Sequence, residues 1–175
     1  MSKSSRKQRD LDEKKVLSEL VKNSKENVDT IAKHCGFSRQ KVWRIIKQLE
    51  ASQKIWGYSA IVDPEKQGLQ KFIIFFKQSP RVSDSKTAEK VNLDEIKKNY
   101  SELDITIETS HYIHGEYDWI IIFTAKDIKQ AKKFINLLHE KYPGLIEKIN
   151  LSQVLYTTRD HCILNPDKLK VKEFI

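Results

Sequence analysis

The stretch IAKHCGFSRQKVWRIIKQL, residues 31–49, constrains the fold more tightly than any other part of the chain. Val28, Ile31, Ala32 and Cys35 recur at i, i+3, i+4 and i+7, the spacing that lines up one apolar stripe on a helix. Val42, Ile45, Ile46 and Leu49 repeat that spacing. Between the two stripes, Gly36 ends the first helix, Phe37 plugs the gap between helices, and the Ser38 hydroxyl caps the second. Two amphipathic helices joined by a three-residue turn are a helix-turn-helix.

On the second helix, Gln40, Arg44 and Lys47 lie opposite the apolar stripe, flanked by Lys41, Trp43 and Gln48. Such a face is commonly plain solvated surface, so the charge distribution has to decide. Residues 1–60 carry 14 Lys and Arg against 7 Asp and Glu, whereas residues 61–175 carry 18 against 17. The positive excess is therefore concentrated beside the helix-turn-helix, as expected of a domain that displaces counterions from phosphate. The predicted partner is double-stranded DNA. Gln40, Arg44 and Lys47 are the outward reading residues, with Ser38, Arg39 and Lys41 nearer the helix start and the phosphates. Trp43 either packs under a wing or lies against sugar, and packing is the expectation.

Other chemistry is poorly supported. There is no Gly-rich phosphate loop, paired-carboxylate arrangement or nucleophile motif, so no enzyme and no cofactor is expected. Cys35 and Cys162 make no disulfide framework and no metal spacing. His111 and His114 form H-x-x-H, but on a strand that spacing sends the rings to opposite faces, so no metal is expected. No apolar run reaches membrane-span length and the start, MSKSSRKQRD, lacks a signal-peptide core; a cytoplasmic location is expected.

In order, residues 1–10 read as a flexible basic arm and 11–62 as a winged helix-turn-helix domain. Its first helix runs over about 11–23, with Val16, Leu17, Leu20 and Val21 inward and Asp12 and Glu13 near the positive end of the helix dipole. Residues 55–64, IWGYSAIVDP, read as a short β segment that leaves the domain as a wing or a linker and is closed by Asp63-Pro64, with the linker between domains at 63–68. Residues 69–160 alternate strand and helix signals. QKFIIFF is a buried strand, a helix covers 88–101 with Leu93, Ile96 and Tyr100 inward, and 105–114 alternate strictly. A hairpin through Gly115 leads to the run from Trp119 to Phe123, Asp127 caps a helix to about Tyr142, and a last strand lies near 149–156. The order βαββαβ is ferredoxin-like, so the class is α+β. Residues 161–175 are a short basic tail.

DLDEKKVLSEL, IAKHCGFSRQKVWRIIKQLE, IWGYSAIVDPEKQG and HGEYDWIIIF, in that order, resemble the leucine-responsive/asparagine-synthetase regulator (Lrp/AsnC) family over nearly all of residues 9–158. The resemblance implies a transcription regulator: an N-terminal DNA-binding domain and a C-terminal domain that dimerises through its sheet. Family members often build octamers, and many bind an amino acid. It also implies that Ser38 to Lys47 form the recognition helix and that Gly115, Tyr117 and Asp118 lie beside an effector, where Asp118 would accept from a ligand ammonium group. An alternative for that loop is structural: Gly115 turns a hairpin that Tyr117 and Asp118 staple. Sirohaem decarboxylases also resemble this two-domain arrangement; in that reading His111 or His114 would serve a tetrapyrrole, but an enzyme has no need of a basic reading helix. The chain departs from the regulators at Gln53, where they usually have Gly, at Ile149 and Leu151, where a Thr-x-Thr pair is common, and in a longer loop at 79–88.

Overall fold

In the computed structural model, which describes residues 3–80, 103–167 and 170–173, the chain divides into two units. One holds residues 1–61 together with 157–172, and the other 62–156 together with 173–175.

The first unit contains α1 (Lys3–Lys22), α2 (Val28–Cys35) and α3 (Arg39–Ala51). Val16 and Leu20 of α1, Ile31, Ala32 and Cys35 of α2, and Val42, Ile45 and Leu49 of α3 form one buried cluster. The sequence stripes thus face one another, while Val21 stays exposed and Ile46 is only half-buried. Asn27 caps α2, its Oδ1 accepting from the Thr30 amide at 2.8 Å, and Ser38 caps α3, its Oγ accepting from the Lys41 amide at 3.3 Å.

Two expectations change. The first helix begins at Lys3, eight residues ahead of the expected start at Leu11. Nothing between the two is Gly or Pro, and Gln8 donates to Asp12 one turn on, so no signal stops the helix earlier. Asp12 and Glu13 are consequently mid-helix and buried, not dipole partners at its end. Residues 56–63 take no regular secondary structure, and Trp56 is 96% exposed. A strand exists only where another accepts its N–H and C=O groups, and this segment pairs with none of the described strands.

The second unit is a four-stranded antiparallel sheet of β1 (Gln70–Gln78), β2 (Thr106–Tyr112), β3 (Trp119–Ala125) and β4 (Ile146–Gln153), in the spatial order β2-β3-β1-β4. Helix α4 (Ile128–Lys141), capped by Asp127, packs Ala131, Phe134 and Leu138 on the face made by Phe72, Ile74, Phe76, Trp119, Ile121 and Phe123. Ile128, expected inward, is exposed. The helix expected over 88–101 lies outside the described residues. With helices and a four-stranded antiparallel sheet among the described residues, the class is α+β.

The strict alternation expected over 105–114 is interrupted. Ile107 pairs with Phe123 and Thr109 with Ile122, so Glu108 is an extra residue in β2. The bulge moves Thr109 and His111 to the face away from α4 and puts Ser110 and Tyr112 on the α4 side. There the Trp119 Nε1–H donates to the Ser110 Oγ at 2.7 Å and Tyr112 stacks on Trp119. Glu108 reaches Lys71 across the other face at 2.7 Å. The last main strand covers Ile146–Gln153, three residues earlier than expected. The following β5 (Arg159–Asp160) and β6 (Ile163–Leu164) make a small hairpin in the first unit.

Candidate DNA-reading helix and effector loop

Helix α3 presents one outer face, and its outward residues meet different surroundings. Gln40, Arg44 and Lys47 are exposed, at i, i+4 and i+7. Arg39 and Ser38 are exposed at the helix start, where Arg39 donates to Asp29 at 3.1 Å. Lys47 donates to Glu50 at 2.8 Å, and Glu50 also accepts from the Tyr58 hydroxyl at 3.1 Å. Lys47 first and Tyr58 second hold the Glu50 carboxyl below its usual range. The segment after α3 is thus tied to the end of the helix through Tyr58, and Lys47 is engaged by the same carboxylate.

Lys41 differs from the rest. Its ammonium lies 2.6 Å from Asp12, and 3.8 Å from the centroid of the Phe37 ring. The Asp12 side chain is only 11% exposed, that of Lys41 37%. The bond from Lys41 holds the Asp12 carboxyl below its ordinary value against the opposing effect of burial, with Gln8 assisting. Among the predicted DNA residues Lys41 is therefore the one turned toward α1. A parallel link joins Lys54 to the buried Glu13. The sequence reading places Asp12 and Glu13 at a helix start and gives them a dipole role; with α1 beginning at Lys3 they lie one turn before Val16 and receive these two lysines instead.

Trp43 is a further correction. Against the expectation that it packs, it is 57% exposed on α3, beside Lys47 and between Gln40 and Arg44 in chain order. Cys35 is buried in the helix cluster, and burial pushes its thiol up, which suits a structural thiol.

In the second unit the 115–118 turn closes the β2–β3 hairpin. An added Cβ at Gly115 would meet nothing within 4 Å, so no close backbone approach explains this glycine. The Tyr117 ring lies 5.4 Å from the Phe75 ring, with Lys148 at 5.5 Å from its centroid and the Asn150 amide donating to its hydroxyl at 3.4 Å. The Asp118 carboxylate accepts from the Gln78 amide at 2.8 Å and has Lys77 at 3.7 Å, while its own amide donates to the Phe76 carbonyl. Both side chains staple the turn to the sheet. Beside Asp118 and Lys77 opens a mainly apolar cleft whose described lining includes Phe76, Tyr112, Trp119, Leu138 and Leu145. His111 lies on the opposite sheet face, across from Ile120.

Residues 12–55 match the winged helix-turn-helix DNA-binding family. The leucine-responsive regulatory protein of Haemophilus influenzae is 25% identical over 136 residues, covering 75% of each chain. The structure of an AsnC family transcriptional regulator from Agrobacterium tumefaciens superposes with a TM-score of 0.66 at 18% identity, over 89% of this chain and 96% of that one. A transcriptional regulator from Neisseria meningitidis, solved as its L-methionine complex, gives 0.66 at 18%, over 90% and 97%. Among the described residues no helix is long and apolar enough to cross a membrane. With a matched winged helix-turn-helix DNA-binding domain, regulator relatives across most of the chain and the fold of the AsnC regulator, this protein is a DNA-binding transcription regulator that resembles the Lrp/AsnC family.

Proposed function

We propose that the protein acts in the cytoplasm as a homodimer, or a higher homo-oligomer built from dimers, that reads two half-sites on double-stranded DNA. Residues 11–62 serve as the DNA-binding domain, 63–68 as the linker and 69–160 as the dimerisation and effector domain. Gln40 and Arg44 contact base edges, and Lys47, Arg39 and Ser38 the backbone, with half-sites about one helical turn, ~34 Å, apart. The exposed Gln40-Arg44-Lys47 face of α3, opposite a fully used apolar stripe, carries this reading. The sheet face away from α4, where Ile73 pairs with Ile122 and Phe75 with Ile120, is the dimer surface. The protein works by binding and not by catalysis.

The Gly115-Tyr117-Asp118 loop serves an amino acid effector. Asp118 and Lys77 offer opposite charges 3.7 Å apart at the rim of the apolar cleft. That pairing suits a zwitterion, ammonium toward Asp118 and carboxylate toward Lys77, with an apolar side chain inside. The L-methionine complex of the Neisseria regulator supports the ligand class.

Selection from random duplex DNA at two salt concentrations tests the function: a defined two-half-site sequence is expected, and unselective recovery at both would refute it. On the selected site Lys47→Ala lowers affinity and reduces the salt slope by about 1. Titration with each of the twenty amino acids tests the effector, since a ligand at 100 times its Kd raises stability by about 2.7 kcal/mol. No thermal shift with any of them would remove the amino acid from the reading.

A further inference from the structure

Trp43 is the one large apolar side chain of α3 that the unit does not cover. The buried stripe of α3 is complete without it, since Val42, Ile45 and Leu49 already meet α1 and α2. On the helical wheel Trp43 stands one residue before Arg44, three after Gln40 and four before Lys47, so its indole is continuous with the reading residues on the flank away from Lys41. Lys41 marks the flank that faces α1 through Asp12. Leaving an indole 57% exposed there has an unfavourable hydration cost that a bound duplex would remove.

The major groove offers one apolar feature to such a side chain, the C5-methyl group of thymine. Phosphates and sugars line the groove walls, whereas base edges lie where Gln40 and Arg44 point. We propose that Trp43 is a specificity-determining residue that reads a thymine methyl group in the major groove, next to the bases met by Gln40 and Arg44. The proposal rests on the DNA-binding function of α3 and adds to it a base identity that polar side chains do not supply. It makes one face of the recognition helix mixed in chemistry, with hydrogen bonding from Gln40 and Arg44 and methyl contact from Trp43.

The test uses the full chain and the sites it selects from random DNA. Each thymine of a half-site is replaced singly by deoxyuridine, which removes the methyl group and leaves base pairing intact, and Kd is measured at one fixed salt concentration. For the wild type, one deoxyuridine position per half-site weakens binding about fourfold, the value for one buried methyl group. Trp43→Ala binds the thymine site more weakly and no longer distinguishes thymine from deoxyuridine at that position. Trp43→Phe retains part of the discrimination, and circular dichroism of both variants checks that the helices remain. Wild-type indifference to every deoxyuridine overturns the proposal, as does Trp43→Ala that still discriminates. If Trp43→Ala loses affinity equally for both DNAs, the indole contacts sugar instead, and the methyl reading falls. Failure to select any sequence would remove DNA reading by α3 altogether, a result distinct from the others.

Discussion

Gln53→Gly should stabilise the first unit, although it places the most flexible residue at the end of the most important helix. Gln53 adopts φ +56°, the left-handed region, with the Lys54 amide donating to the Leu49 carbonyl and the Gln53 amide to that of Glu50. These two bonds make a Schellman motif closing α3. The same motif closes α2, where the Phe37 amide donates to Ala32 and the Gly36 amide to Lys33, but there the left-handed residue is glycine at φ +69°. A side-chain residue in that conformation costs about 1–2 kcal/mol, and glycine costs about 0.5–1 kcal/mol in lost chain freedom on folding. The difference favours Gln53→Gly by about 0.5–1 kcal/mol. Gly36→Ala carries the opposite sign, and since an added Cβ at Gly36 meets nothing within 4 Å, its cost is conformational alone.

Because the chain has two units, one global melting curve need not be two-state, so hydrogen exchange of the α3 amides is the better measure. Protection in α3 should rise about two- to fivefold in Gln53→Gly, fall in Gly36→Ala and stay nearly unchanged in Gln53→Ala, which keeps a Cβ. Unchanged or lower protection in Gln53→Gly, with Gly36→Ala behaving as expected, would refute the reasoning. It would mean that the Gln53 side chain itself stabilises the helix end.

Lys41→Ala should destabilise the first unit by about 1–2 kcal/mol, between the values for exposed and buried pairs because Lys41 is itself over a third exposed. A double-mutant cycle with Asp12→Asn should return coupling near 1 kcal/mol, and additive losses would deny the link. Since Lys41 holds the Asp12 carboxyl below its ordinary value, the pair contributes fully above the unfolded value of ~3.9. That contribution is lost as pH falls through the lower folded value, so the stability gap between wild type and Asp12→Asn should close in strong acid. A gap that persists below that range would contradict the assignment. Glu50→Gln removes the carboxylate that engages Lys47 and should tighten DNA binding about 1.5- to 5-fold at low salt. Weaker binding would mean that Glu50 positions Lys47 instead of competing for it.

Legibility followed periodicity. The stripes of α2 and α3 were readable because each apolar position meets the same helix-helix core, and Gly36 and Ser38 are residue types whose local chemistry fixes a turn and a cap. The two-unit fold was readable in the strand-helix order. The face assignment of β2 was not, because a bulge at Glu108 leaves no compositional trace; it depends on how many residues of β3 stand opposite. The 56–63 segment has strand composition without a partner, and composition alone cannot supply one. Family resemblance drew attention to Gln53, but only the backbone angle shows that it bears the conformation that Gly usually supplies.

The charged residues of the first unit reveal a sharper limit. Lys41, Arg44 and Lys47 look interchangeable in sequence, each a cation on the polar side of α3. Their fates differ because of residues far away in the chain: Asp12 lies 29 positions before Lys41 and Glu13 lies 41 before Lys54, and both acids are buried in α1. Burial of a carboxylate is costly unless a cation comes to it, so these acids claim the nearest lysines for the fold. Helix periodicity separates an inner from an outer face, but it cannot say which outer-face cation is already spoken for. In the proposed reading, the basic residues left for a phosphate are those whose partners are exposed enough to be exchanged, Arg39 with Asp29 and Lys47 with Glu50, while Arg44 is exposed on the same outer face as Gln40.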